Sequence, residues 1–133
     1  MTKSFFDIKV IRYNSTIQPI QTIQYHKTGK RLYSSPVYIT ENGDVVVSDI
    51  LNGVVVTDRE GNYRFTYKGQ SMGDFMPSGI CVDALLNILM SSRFDETIHI
   101  INKDGVFLSV ISTIENGMFH PQSLAYDEKN HLV

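Results

Sequence analysis

Several features that mark particular protein classes are scarce in this sequence. Among 133 residues there is one cysteine, Cys81, so no disulfide framework can form within the chain. Cys81 lies in the apolar run Gly79–Val82, which predicts a buried, unreactive thiol. No apolar stretch approaches the ~18 residues of a membrane-spanning helix, and residues 1–10 lack the apolar core of a signal peptide. We therefore expect a cytoplasmic protein with no membrane partner.

Motifs that carry catalysis are also missing. The sequence has no Gly-rich phosphate loop, no G-x-S-x-G elbow and no H-E-x-x-H zinc motif. Its histidines are scattered singly, and a packed or solvated structural role is the simplest interpretation for each of them: His26, His99, His120 and His131. The sequence thus predicts no catalytic residue, no cofactor and no metal site, and we expect a protein that is not an enzyme.

Short β-branched and aromatic runs separated by Gly, Asn and Asp are what the sequence does contain. Such runs are typical of strands, and no segment has helical spacing long enough to compete. Four runs follow Pro36 and four more follow Pro77: Val37–Thr40, Val45–Ser48, Val54–Thr57, Tyr63–Tyr67, Gly79–Val82, Ile88–Ser91, Ile98–Ile101 and Val106–Ile111. We predict two four-stranded antiparallel meanders.

The pattern is an internal repeat. Pro36, Pro77 and Pro121 open successive copies, at spacings of 41 and 44 residues, within the range of propellers and repeat arrays. We define the first unit as residues 36–69 and the second unit as residues 77–113. Residues 8–25, the half unit, match the last two strands of a copy, and residues 121–133, the front segment, match the start of a copy.

The connections within units indicate specific turns. Asn42-Gly43 predicts a tight hairpin because both residue types tolerate positive φ. Asp58–Gly61 and Asn102–Gly105 occupy equivalent places, and each ends in a Gly suited to the left-handed position of a type I turn with a bulge. Asn14-Ser15 stands at that place in the half unit. The acidic residues at these turns are better explained as side chains that hydrogen-bond to the turn backbone than as calcium ligands, because a calcium site needs six to eight converging oxygens.

Charge is distributed unevenly along the chain. Residues 1–35 contain six Lys or Arg and one Asp, whereas residues 36–133 contain six Lys or Arg and thirteen Asp or Glu, although the net charge is only -2. The densest basic stretch is His26–Ser35, between the half unit and the first unit. It fits either a solvated loop or a loop that faces an anion or nucleic acid.

Together these residues resemble NHL repeats, and nearly the whole chain is similar to part of the C-terminal propeller of tripartite-motif proteins. The resemblance rests on a period just above forty, the opening Pro, the run V-V-V-S-D, the links L-N-G and F-D-E-T, and the turns D-R-E-G and N-K-D-G. Asp49 and Asn52 match the family pattern, whereas Val54 stands where a basic residue is usual. In the second unit, Ser92 and Asp95 replace the Asp and Asn.

The resemblance implies an all-β fold, an incomplete β-propeller of about three NHL-type blades, each a four-stranded antiparallel meander. Two whole units and two partial ones cannot close a ring, which typically needs four to eight blades. We therefore expect part of a larger propeller, with exposed blade edges that favour self-association. One alternative is a six-bladed ring of two chains, in which the half unit of one chain and the front segment of the other form one blade.

A propeller would place the strand connections on two faces of opposite charge. One face would gather the residues that we predict to bind a partner: His26, Lys27, Lys30, Arg31, Lys68 and Arg93. The other would gather Glu41, Asp44, Asp58, Glu60, Asp104, Asp127 and Glu128.

Three functions follow as hypotheses. The first is a protein-interaction module that recruits substrates for a tripartite-motif-like ubiquitin ligase, whose RING domain needs several Cys and His ligands that this chain lacks. The second is RNA binding through the basic face, although no aromatic residue is interleaved with the basic residues from Lys27 to Arg31 and only Tyr33 follows them closely. The third is a propeller enzyme with a metal in its central channel.

Overall fold

The structure, a computed structural model, describes residues 8–70, 75–92 and 96–112. Every regular element in these ranges is a strand, and none of them forms a helix that could span a membrane. The strands are β1 Val10–Tyr13, β2 Pro19–Ile23, β3 Pro36–Glu41, β4 Val45–Asp49, β5 Gly53–Thr57, β6 Tyr63–Tyr67, β7 Pro77–Val82, β8 Ile88–Ser92, β9 Thr97–Ile101 and β10 Phe107–Ser112. The all-β prediction is confirmed, and all eight predicted strands of the two whole units are present, with ends that differ by no more than two residues.

The strands form three antiparallel sheets in chain order. β1 pairs with β2, β3 to β6 form one four-stranded meander, and β7 to β10 form another. The opening prolines lie at the first position of β3 and β7, opposite Asp49 and Ser92, where the missing N–H group of Pro is tolerated best. β7 contacts both β3 and β4, so the inner strands of the two units lie side by side, as in neighbouring propeller blades.

One five-residue turn recurs in the chain, and it explains the Asn and Asp residues at these places. In residues 58–62, Asp58 Oδ1 accepts the N–H groups of Glu60 and Asn62, at 3.0 and 2.8 Å, and Gly61 has φ of 90°. Residues 14–18, 83–87 and 102–106 repeat this arrangement. These hydrogen bonds, led by the one from Asn62, lower the pKa of Asp58. The predicted left-handed positions are confirmed at Gly61 and Gly105, and Ile17 takes the same place in the half unit.

Alternation along the strands produces two apolar layers on either side of the first unit. Val46, Val54 and Val56 point toward the second unit, where they pack with a cluster that includes Ile88 and Met90. On the other face lie Val45, Val47 and Val55, which pack against the half unit through Ile23 and Val10 and against Leu32 and Tyr33. The run of five buried residues in β4 and again in β5 follows from this position, because both faces of the first unit are covered.

Polar contacts also join the two whole units. Asn42 is 8% exposed and its Nδ2 donates a hydrogen bond of 3.1 Å to the carbonyl of Leu86 in the second unit. Arg64, on the outer strand β6, pairs with Asp44 of its own unit and with Asp104 of the second unit. These contacts fix the hairpin ends of neighbouring units against each other.

Two predictions about buried side chains are confirmed. Cys81 is 8% exposed, and burial, with a smaller effect of Asp83, raises the pKa of its thiol to about 11. His99 faces the first unit, on the opposite side of β9 from Ile98 and Ile100, and is 4% exposed. Its Nδ1 lies 2.7 Å from the Tyr67 hydroxyl, and its ring packs on Phe75, so it has a structural role.

Candidate functional site

The basic stretch between the half unit and the first unit begins with a structured turn. His26–Lys30 repeats the hydrogen bonds of the five-residue turns, because His26 N–H donates to the Lys30 carbonyl and Gly29 N–H to the His26 carbonyl, both at 2.8 Å. His26 stands where the other turns have Asn or Asp, and its Nδ1 accepts the Thr28 N–H at 3.1 Å in place of a carboxylate or amide oxygen. The turn therefore holds Lys27 and Lys30 at fixed places on the surface.

A buried carboxylate anchors the chain that follows this turn. Asp49, at the end of β4, is fully buried and accepts four backbone N–H groups, from Ser34 at 2.6 Å, Ser35 at 3.0 Å, and Leu51 and Asn52 at 3.1 Å each. Asn52 Nδ2 also donates to the Leu32 carbonyl at 3.3 Å. These bonds join the β4–β5 link to residues 32–35 and so give Asp49 and Asn52 a structural explanation.

Tyr33 is part of this anchor, since only 1% of it is exposed. Burial raises the pKa of its hydroxyl to about 12. Two smaller effects oppose each other, since the neighbouring Thr57 hydroxyl lowers this pKa and the Asp49 carboxylate raises it. The Tyr33 hydroxyl makes no hydrogen bond with the described residues. Tyr33 is thus unavailable to a ligand.

The wall opposite the turn comes from the outer strand β6. Tyr63 is 40% exposed, and its ring meets the His26 ring edge-on with 5.3 Å between centroids. The Tyr63 hydroxyl lies 2.8 Å from Thr66 Oγ1, and Lys68 follows directly after the strand. The His26–Tyr63 contact spans the space between the turn and β6.

Between these walls lies a cleft of about 390 Å³, which we call the cationic cleft. Its lining comprises His26, Thr28, Lys30, Arg31, Leu32, Asn52, Val55, Tyr63, Thr66 and Lys68. It includes two lysines, one arginine and no carboxylate, and the Lys30 and Lys68 ammonium groups make no ion pair with any described residue. Apolar floor residues, hydroxyls and cations together can hold an anionic ligand that also has an apolar part.

The structure brings together four of the six residues predicted to bind a partner. His26, Lys30, Arg31 and Lys68 line the cationic cleft, and Lys27 is exposed in the adjoining turn. Arg93 lies outside the described residues. The residues predicted for the acidic face lie on the opposite side, where the hairpin turns are. Glu41 ends β3 and Asp44 lies in the turn that follows, and the other turns contain Asp58, Glu60 and Asp104. Asp127 and Glu128 lie outside the described residues.

Sequence reasoning missed the contribution of β6. Tyr63 and Thr66 lie more than thirty positions after His26 and Lys30, and the register shift between Val56 and Thr57 in the β5–β6 pair hides which side of β6 faces the turn. Asn52 could have been found, since it belongs to the repeat pattern. Tyr33, the aromatic residue within the basic stretch, does not face the cationic cleft, because its ring is buried in the core.

Two further observations bear on the alternatives. Within residues 8–70, 75–92 and 96–112, no three His, Cys, Asp or Glu side chains lie close enough together to hold a metal ion. No known protein-family model matches the chain, and no curated protein does so either.

Proposed function

We propose that this chain is a non-catalytic interaction module whose cationic cleft binds an acidic segment of a partner protein. The observation that carries the proposal is the convergence of Lys30, Arg31 and Lys68 on one concave site without a carboxylate in its lining. Cations gathered in a cleft focus positive potential, which attracts an anionic partner and orients it.

The remaining lining favours a peptide over a small inorganic ion. Leu32 and Val55 provide an apolar floor, and Thr28, Thr66 and Asn52 provide hydroxyl and amide groups around it. A volume of about 390 Å³ is far larger than a phosphate or sulfate ion and accommodates two or three side chains of an extended segment. The preferred partner sequence would therefore combine Asp or Glu with a large aliphatic residue.

The resemblance to the propellers of tripartite-motif proteins adds a cellular role to this proposal. In that setting the module recruits substrates for ubiquitination, while a RING domain elsewhere in the assembly transfers ubiquitin. Because RING and B-box domains need several zinc-binding Cys and His residues, this chain would act through such a partner domain.

A direct test uses a fluorescent peptide rich in Glu and Leu, and the same peptide with Gln at every Glu. We expect the full chain to bind the first peptide and not the second. The double variant Lys30→Gln/Lys68→Gln should weaken binding about tenfold, since each exposed ion pair contributes up to about 1 kcal/mol. Lys103→Gln, in the exposed turn between β9 and β10, is the matched control. Equal affinity for the two peptides would contradict the proposal.

RNA is a second candidate because an exposed aromatic ring lies among the cations. Tyr63 offers a face on which a base could stack, beside Lys30 and Lys68, which could contact phosphates. This function predicts binding of a labelled single-stranded RNA that falls steeply with added salt.

Two substitutions of Tyr63 test the stacking. Tyr63→Leu should cost about tenfold in RNA affinity, whereas Tyr63→Phe should keep it, because stacking on a base contributes about 1–3 kcal/mol. If the chain binds no RNA, and Tyr63→Leu leaves peptide binding unchanged, the RNA function is excluded and the protein-partner proposal remains.

A further inference from the structure

The turn beside the cationic cleft begins with an imidazole, whereas the other turns of the same kind begin with an amide or a carboxylate. The corresponding residues in the other described turns are Asn14, Asp58, Asp83 and Asn102. Each of those side chains accepts two backbone N–H groups. Within the described residues His26 accepts one, from Thr28 at 3.1 Å. An Asn therefore supports this turn at least as well as His26 does, and the turn itself does not require an imidazole ring.

The hydrogen bonds within the turn determine which nitrogen of the His26 ring carries the proton. A backbone N–H group can only donate, so Nδ1 accepts the Thr28 N–H and carries no hydrogen in the neutral ring. Thr28 Oγ1 lies 2.9 Å from the same nitrogen, and its hydroxyl donates there as well. The proton of the neutral imidazole is therefore on Nε2, which makes Nε2 a hydrogen-bond donor without a net charge.

Nε2 is the polar atom of His26 that remains for a ligand of the cationic cleft. The ring lines the cleft, and Nε2 makes no hydrogen bond with the described residues. The described charged and titratable groups around the ring come from its own segment and from β6 with the residue after it: Tyr25, Lys27, Lys30, Arg31, Tyr63 and Lys68. Because the lining contains no carboxylate, an acidic group that enters the cleft is the natural acceptor for Nε2–H.

We propose that His26 binds the acidic group of the partner segment and makes this binding stronger as pH falls, an inference that rests on the function proposed above. When the ring is neutral, Nε2–H donates a charge-assisted hydrogen bond to a carboxylate oxygen of the ligand. When the ring takes up a proton, the cleft gains a cation beside Lys30, Arg31 and Lys68. Histidine side chains change charge between about pH 5 and 8, a range in which glutamates and lysines ordinarily keep theirs.

The turn does not depend on the neutral state of the ring. The Thr28 hydroxyl can accept a hydrogen bond from a protonated Nδ1 instead of donating to it, because a hydroxyl has both roles. Thr28 is exposed, so water can accept its backbone N–H. The two backbone hydrogen bonds that close the turn join His26 to Lys30 and Gly29 to His26, and neither involves the ring. The main consequence of protonation is therefore an added positive charge in the cleft, which favours an anionic ligand.

The first experiment measures the affinity of the full chain for the fluorescent peptide rich in Glu and Leu, at about pH 7.5 and about pH 5.5. The glutamates of the peptide stay ionised at both values. We expect the wild type to bind about fivefold more tightly at the lower pH, the effect of one added exposed ion pair. His26→Asn keeps an acceptor for the Thr28 N–H but removes the ring. It should bind about threefold more weakly than the wild type at the higher pH, because one hydrogen bond is lost, and should gain nothing at the lower pH.

Two controls separate His26 from the other groups that titrate or carry charge. Lys27→Gln changes the charge of the same turn but keeps the ring, so the fivefold gain at low pH should persist. His26→Asn keeps every other histidine, so the difference between its pH profile and that of the wild type reports His26 alone. Equal affinities of the wild type and His26→Asn at both pH values would overturn this inference and leave the proposed function standing. Failure of the wild type to bind the peptide at either pH would overturn both.

A second measurement needs no variant and reads the proton directly. NMR correlations between the ring nitrogens and ring protons of the full chain, labelled with ¹⁵N, show which nitrogen of His26 is protonated. We expect the proton on Nε2 at about pH 7.5 and a shift of the Nε2 signal when the peptide is added. A proton on Nδ1, or ring signals that the peptide does not move, would contradict the role proposed for His26.

Discussion

The two whole units have the same four strands and the same five-residue turn between the last two strands, but they differ where the second strand ends. In the first unit that position is Asp49, which accepts four backbone N–H groups. In the second unit it is Ser92, whose hydroxyl is buried and makes no hydrogen bond with the described residues. The two units thus share the same strands, and within the described residues only the first unit has a side chain at this position that accepts backbone hydrogen bonds.

The anchored connection is the one that forms the cationic cleft. Asp49 holds Ser34 and Ser35, which follow the turn with Lys30 and Arg31. The backbone hydrogen bonds to Asp49 stabilise a chain segment that lacks a strand partner of its own.

The largest expected effect comes from removing this anchor. Asp49→Ala should lower the free energy of unfolding by about 3 kcal/mol, because buried N–H donors lose a charged acceptor. Ser92→Ala should change it by less than about 0.5 kcal/mol, since the hydroxyl makes no hydrogen bond with the part of the chain that the structure describes. Urea denaturation followed by circular dichroism measures both. Similar losses for the two variants would remove the distinction between the units.

The next comparison concerns the face of each whole unit that lies toward the preceding unit in the chain, with Ile80 in the second unit and Ile39 in the first. Ile80→Ala should destabilise the chain by about 2 kcal/mol through a cavity at the interface between units. Ile39→Ala should cost less than about 1 kcal/mol, because half of that side chain is already in water. The same urea titration checks this pair, and a loss at Ile39 as large as the loss at Ile80 would contradict the expected difference.

A smaller effect is expected where the second unit places a histidine against the first. His99 occupies the strand position that Val55 has in β5, and its Nδ1 meets the Tyr67 hydroxyl at 2.7 Å. Tyr67→Phe should cost about 1 kcal/mol, the usual contribution of a buried hydrogen bond. Tyr63→Phe, at an exposed ring, should be close to neutral. The shift in thermal midpoint, read by differential scanning calorimetry, separates the two variants.

The smallest effect should appear at the charged contact between the hairpin ends. The hydrogen bond from Arg64, at 2.6 Å, lowers the pKa of Asp104 below its ordinary value of 3.8. A depressed pKa stabilises the fold above the unfolded value, and this stabilisation is lost as pH falls through the folded pKa. The stability difference between wild type and Arg64→Gln should therefore shrink as pH falls from about 5 to about 3. Arg59→Gln, on a neighbouring turn, should show no such trend.

Much of the fold could be predicted from local chemistry. Val-rich runs and turns such as Asp58–Gly61 act over a few residues, so the strands and their connections could be assigned from the sequence. Only part of the lining of the cationic cleft could be predicted. Lys30 and Arg31 are adjacent in sequence, whereas Tyr63 and Thr66 reach the site through a strand pair with a bulge. The burial of Tyr33 could not be predicted, because burial depends on what packs above a residue, which its neighbours in sequence do not specify.

The sequence by itself determined the period of the repeat, the all-β class and the uneven distribution of basic residues, because each follows from short-range preferences and composition. Only the tertiary structure decided which residues share the cationic cleft, why Asp49 is buried, and why Ile39 is exposed where Ile80 is covered. Those properties depend on how whole sheets stack on one another, and no single segment of the chain contains that information.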